Sequence, residues 1–496
     1  MKQTRREWFA TAGCGAAMAA GVQMPARPNI LLLLSDDHSY PFVGAYGDSN
    51  VRTPTLDTLA ADGMRCHRFF TVAPQCVPSR AGLMTGRSAV AVRNTRFSSP
   101  LPRDEVIFPE LLRGEAGYYT GVAGRGYHLD GPGGAQAHVM SIIDRLGLQT
   151  FKERLDYVDT SQPPDYAARV NAFFDRKPAN KPFFLWMNFA DPHAGWDAQT
   201  DEPDPATLKV PGYLPDTPSM RRQLAAYCGE VNRLDRQVKE ILDILERRGF
   251  AKKTLVVFAG DNGLAFPHGK GSLHDPGLNV PFLVRWPGVV KPDSESRALI
   301  SAEDLGPTLL AAAGVAAPAR MSGVSFLGLL RGQPFTPRQY LFAERGPHGS
   351  TPVSAGVKSS TFDLSRCVRS ERYKLIYNCT PWVPYQPVDS AALPAWQDMI
   401  AANANGTLAS QFREAYFTTP RPVYELYDLE RDPSELTNLA GDPKLASVEH
   451  ELRMALAEKM VRDFDYLPLP LSSADAAGPR QTGAPVRGQR QEARGL

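Results

Sequence analysis

Two acidic motifs each follow an apolar run, and their side chains are of the types that bind a hard cation. The apolar run 29–34 ends in Ser35-Asp36-Asp37, and Asp261-Asn262-Gly263 follows the apolar run 254–260. Carboxylate and amide oxygens select calcium or magnesium rather than zinc. Each motif alone also has a simpler explanation, because Asp-Asp is common at solvated caps and Asp-Asn-Gly in turns.

The segment from Cys76 to Arg87 reads Cys-Val-Pro-Ser-Arg-Ala-Gly-Leu-Met-Thr-Gly-Arg. It resembles the signature of the type I sulfatases of the alkaline-phosphatase superfamily. In that family a Cys-x-Pro-Ser-Arg motif, followed by a Leu-x-Thr-Gly-Arg-like run, marks a cysteine that a maturation enzyme oxidises to formylglycine. The simpler alternative is a buried structural cysteine before a helix. The resemblance extends over about residues 28 to 465.

The resemblance implies that Cys76 becomes formylglycine, whose hydrated aldehyde carries two hydroxyls on one carbon. One hydroxyl can attack sulfur, and the other can then lose its proton and expel sulfate by restoring the aldehyde. A serine could perform only the first half of this sequence. At the start of a helix, the carbon would also lie beside backbone N–H donors and the positive end of the helix dipole.

The resemblance also joins the two acidic motifs into one metal site. We expect this site to hold calcium, with magnesium as the alternative. The ligands that the resemblance implies are Asp36, Asp37, Cys76 after its conversion, Asp261 and Asn262.

Five further residues match catalytic or sulfate-binding groups of the family. Arg80 and Lys270 are expected to stabilise the charge of the transition state, and Lys270 also to hold a sulfate oxygen. The segment from Gly124 to His128 resembles a Gly-Lys-x-His element, with Arg125 in place of Lys and one additional residue before the histidine. His128 is expected to contact the formylglycine hydroxyls and to promote sulfate elimination, and Arg125 to bind sulfate. His193, in Asp-Pro-His, is expected to bind substrate and to protonate the leaving oxygen or nitrogen.

The elements that must position these residues follow from the apolar pattern. Apolar runs at 29–34, 183–189, 254–260 and 281–286 indicate buried strands, and residues 219–249 a long amphipathic helix. This alternation predicts an α/β fold, with a large, mostly parallel sheet covered by helices on both faces, like that of alkaline phosphatase. After residue 345 the pattern changes: 368–377 and 423–429 are expected to be strands and 445–465 a helix, which indicates a smaller α+β domain. The predicted division is a signal segment at 1–27, a catalytic domain at 28–345, a smaller domain at 346–470 and a disordered tail at 471–496.

The N-terminal segment has the features of an export signal. Residues 4–9, Thr-Arg-Arg-Glu-Trp-Phe, resemble a twin-arginine signal and precede a weakly apolar run at 10–22. We therefore expect the twin-arginine export machinery as a partner and a periplasmic or secreted location; an ordinary amphipathic N-terminus is the alternative. No apolar run approaches the length of a transmembrane span. Lipidation of Cys14 and a disulfide between Cys367 and Cys379 stay open.

The composition limits the substrate class. With 55 Lys+Arg against 53 Asp+Glu, the net charge of +2 is too small for a protein that binds nucleic acid through many phosphate contacts.

The leading interpretation is a sulfatase that acts on a sulfated glycan, somewhat like heparan-type enzymes such as N-sulfoglucosamine and iduronate sulfatases. The alternatives are a phosphonate or phosphodiester hydrolase of the same superfamily, and a non-catalytic protein that binds sulfated glycans if Cys76 stays a thiol.

Overall fold

The computed structural model describes residues 27–96, 99–131, 137–161, 165–348 and 362–470. Within these residues the chain forms one nine-stranded sheet and one four-stranded sheet. The predicted export signal and the predicted C-terminal tail lie outside the described residues. The division at residue 345 stays a prediction, and the strands of the smaller sheet begin at Leu341.

Strands and helices alternate along most of the larger sheet. Its strands are β1 (Asn29–Ser35), β2 (Met64–Phe70), β3 (Tyr119–Gly124), β4 (Tyr157–Asp159), β5 (Phe183–Asn188), β6 (Thr254–Gly260), β7 (Asn279–Arg285), β8 (Ser294–Ser296) and β9 (Ile300–Ser301). The smaller sheet contains β10 (Leu341–Arg345), β11 (Ser365–Arg369), β12 (Tyr373–Asn378) and β13 (Tyr424–Asp428). The helices are α1 (Pro54–Ala61), α2 (Cys76–Thr85), α3 (Phe108–Ala116), α4 (Ala137–Arg145), α5 (Tyr166–Arg176), α6 (Pro218–Arg247), α7 (Asp275–Leu278), α8 (Leu305–Ala312), α9 (Leu327–Leu330), α10 (Pro394–Ala404), α11 (Ser410–Phe417) and α12 (Ala446–Arg462).

The larger sheet is mostly parallel, as the sequence predicts. Its strand order is β4-β3-β5-β1-β6-β7-β2-β8, with β9 paired to β2. The central strands β3, β5, β1 and β6 are parallel, whereas β7 runs antiparallel to both of its neighbours. Along β1, Leu32 and Leu34 belong to one hydrophobic cluster, and Leu31 and Leu33 to the other. The strand is therefore buried on both faces, which explains its uninterrupted apolar sequence.

The parallel central strands bring several loops to one edge of the sheet. Because β1, β3, β5 and β6 are adjacent and run in the same direction, the segments that follow their carboxyl ends meet at that edge. In open α/β sheets this edge is where ligands bind. The segments concerned begin at Asp36, Arg125, Phe189 and Asp261.

The prediction of one strand at residues 368–377 of the smaller sheet is wrong. Residues 368–377 do not form a single strand: β11 and β12 are separate antiparallel strands joined by a turn. Ser370 N donates to Tyr373 O over 2.8 Å, and Tyr373 N donates to Ser370 Oγ over 2.9 Å. A turn this short leaves apolar residues at nearly the same alternating spacing, so the pattern could not reveal the reversal.

The predicted helices and the open cysteine question are also resolved. The predicted helix 219–249 corresponds to α6, and the predicted helix 445–465 to α12. Cys367 and Cys379 are both free thiols, so they are not bridged. Within the described ranges, no helix is long and apolar enough to cross a membrane.

Candidate active site

The predicted nucleophile is the first residue of α2. Gln75 precedes the helix with an extended backbone, and Cys76 is completely buried. Cys76 Sγ lies 3.3 Å from Asp36 Oδ1 and 3.9 Å from Asp37 Oδ1. Burial and the charge of Asp36 raise the pKa of this thiol well above its usual range. An unmodified Cys76 would therefore be a neutral thiol and a poor nucleophile.

The two acidic motifs come together beside Cys76. Asp37 N donates to Asp261 Oδ1 over 3.0 Å, and Asn262 Nδ2 donates to Asp37 Oδ1 over 2.8 Å. Donor atoms of Asp36, Asp37 and Cys76 all lie within 4.8 Å of one another.

The residues present fit a hard divalent cation. Asn262 Oδ1 is buried and has no hydrogen-bond partner among the described residues. Such an atom is costly to bury without a partner, and a cation would satisfy it. Together with the neighbouring carboxylates of Asp36, Asp37 and Asp261, it provides the oxygen donors that calcium and magnesium prefer.

The backbone at this edge of the sheet is closely packed. A Cβ atom at Gly263 would lie 1.9 Å from the carbonyl oxygen of Pro276, so only glycine fits there. Asp37 has a φ of 61°, in the left-handed region that non-glycine residues seldom adopt. The surrounding structure must impose this conformation, as is common at functional sites.

Arg80 projects from α2 into the same cluster. Its Nη2 atom lies 2.9 Å from Asp36 Oδ2 and 2.9 Å from Asp261 Oδ2, and Nη1 donates to the carbonyl of Gly126 over 2.7 Å. The guanidinium is completely buried. Because several bonds fix its orientation, it is a rigid cation that loses little freedom when it binds an anion.

The charges of the cluster shift the pKa values of its carboxyls in opposite directions. Burial alone would raise the pKa of Asp36, but Arg125 and Arg80 hold it well below its usual range. Burial and the charge of Asp36 raise the pKa of Asp261 to about 7. A cation at this position would favour the charged form of Asp261.

Arg125 and Lys270 also contact the carboxylates. Arg125 follows β3, and its Nη1 atom lies 2.5 Å from Asp36 Oδ2. Lys270 Nζ lies 2.9 Å from Asp37 Oδ1, and its side chain is fully buried. Burial opposes the charged form of Lys270, but Asp37 raises the pKa of this ammonium well above its usual range. Both predicted sulfate-binding cations therefore lie at the site.

His128 is half-buried close to the cations of the site. Its φ is 63°, so its backbone is also in the left-handed region. Burial, reinforced by the charge of Arg80, lowers the pKa of this ring well below its usual range. A neutral imidazole can accept a proton, which is the type of group the predicted elimination role needs.

His193 lies on the loop that follows β5, at the edge of the buried cluster. Its Nε2 atom is 3.8 Å from Asp37 Oδ2. Nδ1 lies 2.9 Å from the carbonyl of Ala194, which can only accept, so Nδ1 carries a proton. Nε2 is therefore the nitrogen that can exchange a proton with a substrate. The ring is 25% exposed, which leaves this nitrogen accessible.

Helix α6 holds the loop of His193 in place. Arg233 donates to both carboxylate oxygens of Asp191, over 2.7 and 2.8 Å, and Gln237 donates to the same carboxylate over 2.9 Å. Asp191 lies two positions before His193 in the sequence. The backbone N–H of His193 itself donates to the carbonyl of Ala190 over 3.0 Å.

Two residues near the site do not belong to the motifs of the sequence. Asp389 Oδ2 lies 2.6 Å from Lys270 Nζ, and His348 Nε2 lies 3.6 Å from Asp389 Oδ1. From the sequence, His348 could contact substrate, but a structural or surface role was favoured; Asp389 was not identified. Neither belongs to a motif, and both come from segments far along the chain, so no spacing pattern could have identified them.

His268, two positions before Lys270, has a structural role. His268 is buried, its Nε2 lies 3.0 Å from the carbonyl of Glu435, and its ring stacks on that of His274 at 3.8 Å. His274 lies 3.5 Å from Glu425, a residue of the smaller sheet. This stacked pair therefore joins the segment of Lys270 to the smaller sheet.

The fold and the site together define a hydrolase of the alkaline-phosphatase type. The sulfatase family profile matches residues 28–315, and the profile for the C-terminal region of N-sulphoglucosamine sulphohydrolase matches residues 267–383. An ulvan-active sulfatase from Formosa agariphila is 29% identical over 92% of this chain and 78% of its own length. The human N-sulphoglucosamine sulphohydrolase is 28% identical over 90% of this chain and 92% of its own length. The chain therefore belongs to the sulfatase family, and the resemblance in the Cys76 segment is confirmed.

Solved structures confirm the fold. A protein solved in complex with its substrate D-glucosamine-2-N,6-O-disulfate superposes with a TM-score of 0.64 at 20% identity, covering 89% of this chain and 99% of the other. The phosphonate monoester hydrolase of Agrobacterium radiobacter also has a TM-score of 0.64, at 21% identity, covering 88% of this chain and 96% of the other. At these identities the likeness concerns the fold alone, which sulfatases and phosphonate hydrolases share.

Proposed function

We propose that the protein hydrolyses sulfate esters or sulfamates of a sulfated glycan, with formylglycine derived from Cys76 as the nucleophile. The observation that carries this proposal is the position of Cys76. It is buried at the first turn of α2, with its Sγ 3.3 Å from Asp36, in the signature that resembles the formylglycine motif. Burial and the charge of Asp36 raise the pKa of the thiol, which supports a side chain that acts after its modification.

The relatives support the substrate class. Both named relatives are sulfatases, and the names of one relative and one family profile refer to N-sulphoglucosamine. These names favour a sulfated sugar, and they support a heparan-type sulfamate as the first candidate.

The cationic residues of the site and its two histidines have different proposed roles. Arg80, Arg125 and Lys270 supply fixed positive charge for the sulfate oxygens, and two of them are fully buried. In a site that excludes water such charges stabilise an anionic transition state more than solvent does. His193 would donate a proton from Nε2 to the leaving atom, and neutral His128 would accept a proton during sulfate release.

Formylglycine and a metal ion would complete this chemistry. Formylglycine would supply two hydroxyls on one carbon. Asp36, Asp37, Asp261, Asn262 and the modified Cys76 would hold calcium, which would supply positive charge beside the nucleophile; magnesium is the alternative.

A phosphonate or phosphodiester hydrolase is the second candidate. The observation that favours it is the equal structural likeness to a phosphonate monoester hydrolase. Catalytic efficiencies measured side by side on an aryl sulfate, an aryl phosphodiester and an aryl phosphonate monoester, all with nitrophenol as the leaving group, separate the two functions. A larger value for either phosphorus compound would overturn the sulfatase proposal.

The central experiment is a desulfation screen with the mature protein. The substrates are defined disaccharides and monosaccharides that carry a single sulfate on oxygen or nitrogen, including N-sulfoglucosamine. Release of free sulfate from at least one sugar supports the glycan proposal. The mass of the Cys76 peptide should show loss of the sulfur atom. An unchanged cysteine together with binding but no turnover would instead support a binding protein.

The location and processing of the chain are part of the proposal. Residues 1–27 would direct export through the twin-arginine machinery to the periplasm or outside the cell. A formylglycine-generating or maturase enzyme would convert Cys76. Because twin-arginine export carries folded proteins, the active site would be complete before export. A fusion of residues 1–27 to a reporter tests the signal, and replacing both Arg5 and Arg6 by Lys should retain the reporter in the cytoplasm.

A further inference from the structure

The carboxylate of Asp389 lies at the entrance of the site that is proposed to bind the sulfate anion. Its Oδ2 atom lies 2.6 Å from Lys270 Nζ and 3.8 Å from His193 Nε2. Its side chain is 30% exposed, whereas Lys270 is fully buried. A negative charge here repels the sulfate of the substrate and weakens binding, unless it makes a favourable contact with another part of the same molecule.

The position of Asp389 is strongly constrained. Its φ is 61°, a conformation that costs energy in a residue other than glycine and persists only where the surroundings impose it. The charge of Lys270 beside it holds the pKa of this carboxyl far below its usual range, although burial opposes the shift. Asp389 is therefore an ionised acceptor in a fixed place.

His348 lies between Gln75 and this carboxylate. Gln75 Nε2 lies 3.1 Å from His348 Nδ1 and 3.4 Å from the carbonyl of Gly346. The contact with a carbonyl assigns that atom of Gln75 as the amide nitrogen, which only donates, so Nδ1 of His348 accepts. Nε2 of the same ring lies 3.6 Å from Asp389 Oδ1, which is within ion-pair range but longer than a hydrogen bond. The ring of His348 therefore separates Asp389 from the residue that directly precedes Cys76.

The arrangement indicates which part of a substrate meets Asp389. The groups proposed to hold the sulfate, Arg80 and Lys270, are buried, whereas His193 and Asp389 are partly exposed at 25% and 30%. The sulfate must therefore lie inward and the rest of the substrate outward. Because His193 is the proposed acid for the leaving atom, the leaving group lies beside His193 and next to Asp389.

We propose that Asp389 is the specificity-determining residue for the leaving group. Its carboxylate accepts hydrogen bonds from the hydroxyl or amine groups that neighbour the sulfated atom of a sugar. This inference rests on the proposed function, since it assigns a sugar as the leaving group. A nitrophenol has no such donors, so it cannot use this contact.

The test compares two substrates in one preparation of each variant. The variant is Asp389→Asn, which keeps the shape of the side chain and removes its charge; Asp389→Ser is the second variant. The substrates are the best sugar sulfate of the desulfation screen and 4-nitrophenyl sulfate. The ratio of their kcat/KM values does not depend on the fraction of active enzyme, so partial misfolding or incomplete conversion of Cys76 does not affect it.

We expect the ratio of sugar to aryl kcat/KM to fall about tenfold to a hundredfold, which corresponds to the loss of hydrogen bonds to a charged group. Most of the loss should appear as a higher KM for the sugar. An effect transmitted through Lys270 to the sulfate itself should reduce both substrates and cancel in the ratio. An effect transmitted through His193 should instead lower the kcat of the sugar and leave its KM unchanged, and that outcome would make Asp389 a positioning residue for His193 and overturn the proposed contact with the sugar. Asp398→Asn removes an exposed carboxylate from α10 and serves as the matched control, with an unchanged ratio.

The outcomes separate this inference from the proposed function. Equal losses on both substrates, or no loss on either, would overturn the role of Asp389 while leaving the sulfatase proposal intact. If the wild-type protein releases sulfate from 4-nitrophenyl sulfate but from no sugar, both the glycan proposal and the role of Asp389 fail. If it releases sulfate from neither, the sulfatase proposal itself fails.

Discussion

The Sγ atom of Cys76 lies 3.3 Å from Oδ1 of Asp36, and both side chains are fully buried. This proximity places the proposed nucleophile against one of the proposed calcium ligands, and it explains why the unmodified thiol is held neutral. The side chain is small and its loss removes few packing contacts, so its chemistry and its structural contribution can be separated.

We predict that Cys76→Ala abolishes turnover of 4-nitrophenyl sulfate and lowers the free energy of unfolding by only about 1 kcal/mol. Cys76→Ser should permit at most one sulfation event per molecule, because it has a single hydroxyl. Steady-state kinetics and thermal unfolding measure the two effects. Cys66→Ala, a buried cysteine on β2, is the control and should retain activity. Sustained turnover by Cys76→Ala would rule out the assigned nucleophile.

Removal of divalent cations should inactivate the protein, and calcium or magnesium should restore it. Calcium at about 100 times its dissociation constant should stabilise the fold by about 2.7 kcal/mol if it binds only the native state. Asn262→Leu should weaken this calcium-dependent rise in Tm, because Asn262 supplies the unpartnered buried oxygen. Asn180→Ala, on an exposed loop, is the matched control. Full activity in metal-free protein would contradict the site.

The two histidines should differ in their dependence on the leaving group. A sugar oxygen or nitrogen needs a proton to leave, whereas nitrophenolate does not, so His193→Ala should slow sugar sulfates by about 100-fold to 10,000-fold and aryl sulfates far less. His128→Ala should slow both substrate types equally and leave sulfate attached to the Cys76 peptide, which mass spectrometry detects. Equal losses for His193→Ala, with no retained sulfate in His128→Ala, would show that the two roles are wrongly assigned.

The ion pair between Arg233 and Asp191 should act through the position of His193. We predict that Arg233→Met lowers the kcat/KM of sugar sulfates about tenfold to a hundredfold, because a small displacement of the acid weakens proton transfer. Turnover of aryl sulfates should change little. Arg236→Met is the control from the same helix, since Arg236 pairs with Asp201 instead, at 2.6 Å. If both variants lose activity alike, the effect concerns the stability of α6 and not the position of His193.

A buried carboxyl outside the active site should make stability depend on pH. Burial, opposed by Arg366, raises the pKa of Glu344 from 4.5 to about 7. The folded state therefore binds the proton more tightly than the unfolded state. The resulting stabilisation is present below pH 4.5 and is lost as pH rises through 7, by up to about 3 kcal/mol. Calorimetry at pH 5 and pH 8 should show a smaller difference in Tm for Glu344→Gln than for the wild type. The exposed Glu414→Gln should behave like the wild type.

Much of the fold was already determined by the pattern of the sequence. The uninterrupted apolar run of β1 predicts burial on both faces, and the structure places its alternate leucines in separate clusters. A local pattern suffices here, because a strand covered on both sides must be apolar at every position. The division of residues 368–377 into two strands could not be predicted, since a tight turn preserves the alternation.

The residues of the candidate site that belong to motifs could be identified from the sequence. Cys76 and Arg80 lie one helical turn apart on α2, and Asp36-Asp37 and Asp261-Asn262 follow adjacent parallel strands, so local pattern and strand order suffice to bring them together. The contacts of Asp389 with Lys270 and His193, and of His348 with Asp389, are known only from the folded structure. Their positions depend on how the segments beyond the larger sheet pack over its edge, and such long-range packing leaves no periodic or spacing signal in the chain.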